Sequence, residues 1–230
     1  MIKKVCLVFL ALVVVLLAAA GVAWKLNGER WQQEYAAFRK TGAPVLMYHA
    51  VGLEEGADWP KTLIMKPELF EAHLQYLKEQ GYTIVTVAEL AERLQQGKSV
   101  DKYVALSFDD GYKNNHSVVL PLLQKYDAKG SFFVINRDIG DELHMNEQEI
   151  KELIAAGMEL GSHTYSHNPL AAIDEKYLVW ETDTSRYWLK KKFDGYIVRT
   201  LAYPNGSYND RVIALSLIHI SEPTRPEPIS

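Results

Sequence analysis

Cysteine is almost absent from this chain. Cys6 is the only one in 230 residues, so no intramolecular disulfide can form. It lies within an apolar segment too close to the start, and in the wrong context, for a lipoprotein cleavage site. An excess of charge of one sign is also missing: 25 basic against 29 acidic side chains leave a net charge of −4. No basic stripe runs along the sequence, which removes the electrostatic case for nucleic acid as a partner. No internal repeat is found. What remains, with 48% apolar and 23% charged residues, is an ordinary globular composition long enough for one sizeable α/β domain and a short appendage.

The exception to that composition is the N-terminus. Lys3 and Lys4 precede an uncharged run from Val5 to Trp24, which as a helix at about 1.5 Å per residue spans about 30 Å, enough to cross a bilayer. The leading lysines place the N-terminus in the cytoplasm and everything after Trp24 outside. Residues 1–24 therefore read as an uncleaved signal anchor, a single-pass transmembrane helix. Ala18-Ala19-Ala20 and Gly21-Val22-Ala23 resemble small-residue cleavage sites, and cleavage there would make the protein secreted. Residues 25–43, polar and charged with Trp31, Tyr35 and Phe38 scattered among them, read as a juxtamembrane stalk.

The folded domain is expected over residues 44–214. Val45 to Tyr48 reads as a short buried strand, followed by a loop rich in glycine and acid from Gly52 to Asp58. Pro67 opens a helix where its missing N–H does no harm. Leu69, Phe70, His73, Leu74 and Leu77 recur at helical spacing until Gly81. Tyr82–Val85 reads as a strand, and Thr86 with Glu89 forms a capping-box pattern opening a helix that ends near Gly97. Strands at 104–108, 131–135, 158–162 and 197–203 alternate with helices at 117–126, 146–157 and 174–193. Alternation of this kind implies parallel pairing with right-handed crossovers, in a barrel or a doubly wound sheet. Functional groups then belong at the C-terminal ends of the strands.

Ser107-Phe108-Asp109-Asp110-Gly111-Tyr112 stands at one such end and Gly161-Ser162-His163-Thr164-Tyr165-Ser166-His167 at another. Together they offer three metal ligands and a spare carboxylate. An ion held by two histidines and one carboxylate keeps positions open for water and substrate, and the second carboxylate can take a proton from that water. Thr164 and Ser166, between the histidines, can fix their loop by local hydrogen bonds. An Asp-Asp-Gly behind a strand also serves as a plain turn, and a His-x-x-x-His pair also occurs as a structural or surface feature. Both at matched strand ends of one α/β domain point to metal-assisted hydrolysis. His49 follows a strand and lines the same end, His73 fits a helix face as a structural residue, and His116 and His144 carry no pattern.

These residues carry a specific resemblance. Ser107 to Gly111 resembles the first motif of the polysaccharide deacetylases, the NodB-homology group within carbohydrate esterase family 4, with serine where threonine is commoner. Gly161 to His167 is similar to their second motif, and Pro44-Val45-Leu46-Met47-Tyr48-His49 to the opening of a membrane-associated or secreted branch. The resemblance runs from about Pro44 to Ala214. It implies a distorted (β/α) barrel, here incomplete, that removes acetyl groups from N-acetylated sugars with a divalent metal. Asp109 would be the catalytic base and Asp110, His163 and His167 the metal ligands; zinc is expected, with Co²⁺ or Ni²⁺ also suited to the donor set. Leu201-Ala202-Tyr203-Pro204-Asn205-Gly206 is similar to a third motif. Ala202 stands in place of its arginine and Asn205 in place of its tyrosine, so the Asn205 backbone N–H is left as the oxyanion donor. Tyr203 and Pro204 would face the substrate, and Arg199 is not expected to replace the arginine.

The end of the sequence departs from the family. Leu217-Ile218-His219 imitates a late Leu-His motif that supplies the general acid. It comes too soon after Pro204 to leave room for the strand and helix units between. Residues 215–230 resemble a translated sequencing adapter, cutting across a helix begun at Asn209, and are expected to be foreign to the domain. A chain whose native sequence stops near Ala214 would keep the metal site and base but lack the acid and the last barrel strands, leaving it poorly stable and weakly active or inactive. The expected substrate is an acetylated cell-wall or exopolysaccharide glycan of N-acetylglucosamine. An O-acetyl xylan or glycan esterase, and a non-catalytic membrane-anchored glycan-binding module, are the competing readings; the presence of both aspartates speaks against the pure binder.

Overall fold

Local signals in the sequence become the framework of the domain. The computed structural model describes residues 25, 29–30, 42–52 and 63–221. The expected anchor over residues 1–24, most of the stalk, the acidic loop and residues 222–230 lie outside the described residues. Among the described residues no helix is long and apolar enough to cross a membrane. In chain order the elements are β1 (Val45–Tyr48), β2 (Ala50–Val51), β3 (Ile64–Met65), α1 (Pro67–Glu79), β4 (Thr83–Val85), α2 (Val87–Gln95), β5 (Tyr103–Phe108), α3 (Leu120–Lys125), β6 (Ser131–Val134), α4 (Glu147–Ala155), β7 (Glu159–Ser162), α5 (Glu175–Val179), α6 (Ser185–Lys192) and α7 (Asp210–Ser221).

The expected capping box at Thr86 forms, and a second stands at Asn146. Thr86 Oγ1 accepts from Glu89 N–H at 3.1 Å while Glu89 returns the bond to Thr86 N–H at 3.0 Å. Asn146 and Glu149 do the same, at 3.0 and 2.8 Å. Pro67 occupies the first turn of α1. Each pair satisfies backbone donors that a helix start otherwise leaves open.

The sheet is parallel, in the order β1-β5-β6-β7, with β4 also paired to β5; β2 and β3 make a separate two-stranded pair. β5 is buried along its length because it has neighbours on both edges and helices on its faces. Phe108, at its end, is stacked between Tyr48 at 5.4 Å and Phe132 at 4.8 Å, with Phe70 edge-on at 5.7 Å. This aromatic block is the floor on which Asp109 and Asp110 stand.

Four expected elements take another form. The strand expected over 197–203 is reduced to one parallel bridge, Ser162 with Leu201. Tyr203 turns away to pack against Leu170, Leu178 and Val212, and Pro204 opens a 3₁₀ turn. The barrel is accordingly seen as an open five-stranded sheet with that single bridge beyond β7. The helices expected at 117–126 and 174–193 each contain a π-helical turn, Asn115–Val119 ahead of α3 and Trp180–Thr184 between α5 and α6. In the first, Pro121 has no N–H and would crowd the carbonyl four residues back, so the chain widens there and Leu120 N–H reaches Asn115 O. Finally, the helix expected to be cut near Ala214 runs on to Ser221. Asn209 Oδ1 caps it from Val212 N–H at 3.0 Å, and Leu215 packs beside Val212 on one face.

Candidate metal centre

The site is built at the ends of β5 and β7. Asp109 N–H still donates to Tyr48 O at 2.9 Å, so its backbone belongs to the sheet. The chain then turns through two left-handed residues, Asp110 at φ 72° and Gly111 at φ 82°. A Cβ on Gly111 would meet Val134 Cγ1 at 3.0 Å, so glycine there answers both a backbone and a packing demand. The turn keeps at one end of the sheet two side chains that a continuing strand would send to opposite faces. Both carboxylates are buried, at 7% and 8% exposure, and Oδ1 of each has no hydrogen-bond partner within the protein.

Beyond β7, His163 Nε2 and His167 Nε2 each lie 3.4 Å from Asp110 Oδ1. That is too long for a well-formed hydrogen bond, and the two rings sit edge to face at 4.8 Å. His163 Nδ1 is bonded to the Ala202 carbonyl at 3.0 Å; with the proton on Nδ1, Nε2 keeps its lone pair for the interior of the site. The loop between the histidines includes two residues in left-handed conformation, Thr164 at φ 69° and His167 at φ 61°. Thr164 Oγ1 accepts from His167 N–H at 3.0 Å, the local bond expected of it.

Electrostatics divides the two aspartates. Burial pushes the Asp109 carboxyl above its ordinary value, and the charge on Asp110 adds to this, against the pull of His163 and His49. Asp110 is buried too, but His163 beside it, with a hydrogen bond from Tyr112 and the charge of His49, outweighs burial and holds it low. His163 is drawn down by burial and raised more strongly by Asp110 and Asp109. Burial and the charge of His163 keep His167 low, in the neutral form a metal requires.

These residues fit a divalent cation. One ligand atom each from Asp110, His163 and His167 lie within 4.8 Å of one another. The buried Asp110 oxygen left without a donor faces both imidazole nitrogens, and such an orphan costs about 1–3 kcal/mol unless something fills the role. Two nitrogens and one oxygen form a set that zinc-like ions accept with a position to spare.

Comparison with known proteins agrees with this geometry. The sequence model of the polysaccharide deacetylase family matches residues 96–217, more than half of the chain. The structure superposes on the Streptococcus pyogenes deacetylase PplD, in complex with acetate, with a TM-score of 0.70 and 30% identity, covering 76% of this chain and 79% of that one. This chain belongs to the polysaccharide deacetylase family. YxkH of Bacillus subtilis (strain 168), which carries the polysaccharide deacetylase name, is 33% identical over 174 residues, 74% of this chain and 59% of its own length. The poly-β-1,6-N-acetyl-D-glucosamine N-deacetylase of Staphylococcus aureus (strain MSSA476) is 28% identical over 164 residues, 65% of this chain and 56% of its own. The chain thus spans a little over half the length of these curated relatives.

Within this member of the family the remaining expected residues are placed unequally. His49 joins the site: both aspartates feel its charge, and Asn115 Nδ2 holds its carbonyl at 2.9 Å. The third motif reaches the centre through the Ala202 carbonyl. Asn205 lies on the exposed turn after it at φ 55°. Tyr203 stacks on Tyr208 at 5.5 Å and bonds Ser216 Oγ at 2.9 Å, while Pro204 is buried beneath that turn. Arg199 lines a separate open cavity of about 390 Å³ with Thr86, Glu89, Glu159 and Tyr196. His73 braces the Tyr48 hydroxyl at 3.2 Å, a structural role; His116 pairs with Glu152 and His144 with Asp141, each at 2.7 Å. Tyr112, Ala202 and Glu181 are partners of the site that sequence reasoning missed. Tyr112 directly follows the Asp-Asp-Gly, which is the one signal that could have found it.

Proposed function

We propose that this protein is a metal-dependent deacetylase that hydrolyses N-acetyl groups of a polysaccharide of N-acetylglucosamine outside the cytoplasmic membrane, anchored there by residues 1–24. The observation that carries the reading is the buried Asp110 Oδ1, without a donor and 3.4 Å from two imidazole nitrogens, with a second buried carboxylate beside it. Family membership and the substrate printed in the name of the Staphylococcus aureus relative support the choice of an N-acetylated glycan. The uncharged run behind Lys3 and Lys4 supports the location.

Asp110, His163 and His167 would hold the ion, zinc first among those the set accepts. When bound, it polarises the acetyl carbonyl and makes water acidic enough to be deprotonated near neutral pH. Asp109 accepts that proton; its raised affinity brings it closer to the working pH, which favours a general base. Ala202 O keeps the His163 ring in one tautomer and orientation. The Asn205 N–H would receive the developing oxyanion. The proton that Asp109 accepts is then the one available to the departing nitrogen, and His49, whose charge both aspartates feel, would line the substrate side of the site.

The test is acetate release from β-1,6-linked and β-1,4-linked N-acetylglucosamine oligomers, beside acetylated xylan, by the zinc-loaded full chain. Slow but measurable release from an N-acetylated oligomer is expected, with Asp109→Asn lowering kcat by about 10²–10⁴-fold, the usual worth of a proton-transfer group. Release from acetylated xylan alone, or full activity in Asp109→Asn, contradicts the substrate or the base respectively.

A further inference from the structure

We propose that Glu181 is a positioning residue for the two site histidines, acting on the backbone of the loop that joins them. Glu181 is 3% exposed and so carries a buried acidic group. It lies in the π-helical turn Trp180–Thr184, an irregularity that often marks a functional position. Its carboxylate accepts from Tyr165 N–H at 3.0 Å and Ser166 N–H at 2.8 Å through Oε2, and from Ser166 Oγ–H and Asn168 Nδ2 through Oε1. Four donors from a four-residue stretch therefore converge on one buried carboxylate, between the positions of His163 and His167 or directly after them.

The loop needs such an anchor. Thr164 is β-branched and held at φ 69°, and His167 follows at φ 61°. Left-handed backbone at residues other than glycine is strained and persists only where the surroundings impose it. The first half of the loop is imposed from the turn after β6 and from α6. Asn136 N–H reaches Thr164 O at 3.2 Å, Arg137 N–H reaches Tyr165 O at 3.0 Å, and Ser162 Oγ joins Ser185 Oγ at 2.6 Å. The second half, which carries His167, is held by Glu181 and by Thr164 Oγ1. Glu181 and Ser185 stand four residues apart, so one helical face serves both halves. Ligands held by outer partners of this kind lose about 10–100-fold in metal affinity when the partner is removed.

This assignment rests on the reading of Asp110, His163 and His167 as metal ligands, and the experiment separates the two. Zinc affinity of the metal-free full chain is measured by competition with a chromophoric chelator for the unaltered protein, Asp110→Asn, Glu181→Gln, Glu181→Ala and Ser166→Ala. The melting temperature of each metal-free form is recorded alongside. Expected is a loss of binding in Asp110→Asn and a 10–100-fold weakening in Glu181→Ala. Glu181→Gln, which keeps an acceptor for the two N–H groups, should recover most of the affinity, and Ser166→Ala should weaken it several-fold. If Glu181→Ala does not fold, Glu181→Gln and Ser166→Ala carry the comparison. A purely structural role would lower the metal-free melting temperature and leave the affinity of the folded protein unchanged. That result overturns the proposal for Glu181 alone. Equal binding by the unaltered protein and Asp110→Asn overturns the ligand assignment, and the proposal with it.

Discussion

Asp109 is the residue at which stability and function oppose one another. Its carboxylate is buried, its Oδ1 is without a partner, and burial raises its pKa. A carboxyl whose folded-state pKa lies above its unfolded value favours folding while it is protonated. That contribution is complete below the unfolded pKa and is lost as pH rises through the folded one, so the charged group then works against the fold. Asp110, held low, contributes the other way and loses its contribution as pH falls. Asp109→Asn in the metal-free protein should therefore raise the melting temperature at pH 7–8, by an amount that shrinks towards pH 4, while deacetylation falls by about 10²–10⁴-fold. Thermal melts across pH check the first part; a variant less stable than the parent at pH 8 would contradict it.

The ends of β5 and β7 place the site, and they do so through close packing. Gly161 in β7 is a sensitive point: a Cβ there would sit 2.5 Å from two carbons of the Phe133 ring and 2.9 Å from Thr200 Oγ1. Gly161→Ala should therefore destabilise the domain by about 1–3 kcal/mol, the usual cost of overpacking, read as a lower urea midpoint at unchanged slope. An unchanged midpoint would mean that β7 and the segment around Leu201 are held more loosely than the structure shows. Elements whose signals are local were legible in the sequence. Thr86 with Glu89 and Asn146 with Glu149 state a helix start within four residues, and both form. The π-helical turns were not legible as such. Trp180–Thr184 follows from what Glu181 and Ser185 meet across the fold, and no period within residues 174–193 announces it.

At the scale of the molecule, parallel α/β order and the cluster of Asp110, His163 and His167 were readable because each motif is short and contiguous, and the fold brings the motifs to one end of the sheet. Glu181 and the Ala202 carbonyl were not, because their roles arise only when β7, the π turn and the segment after Val198 meet. The open sheet beyond β7 is likewise a property of long-range pairing: Leu201 finds Ser162, but Tyr203 is claimed by Leu170, Leu178 and Val212. The central claim is that Asp110, His163 and His167 hold a catalytic ion beside the base Asp109. It is tested most directly by acetate release from an N-acetylglucosamine oligomer as zinc is titrated into chelator-stripped protein. Activity should be absent at the start and rise to a plateau at one equivalent, and Asp109→Asn should bind the same equivalent without turnover. Turnover in the stripped protein, or undiminished turnover in Asp109→Asn, would contradict it.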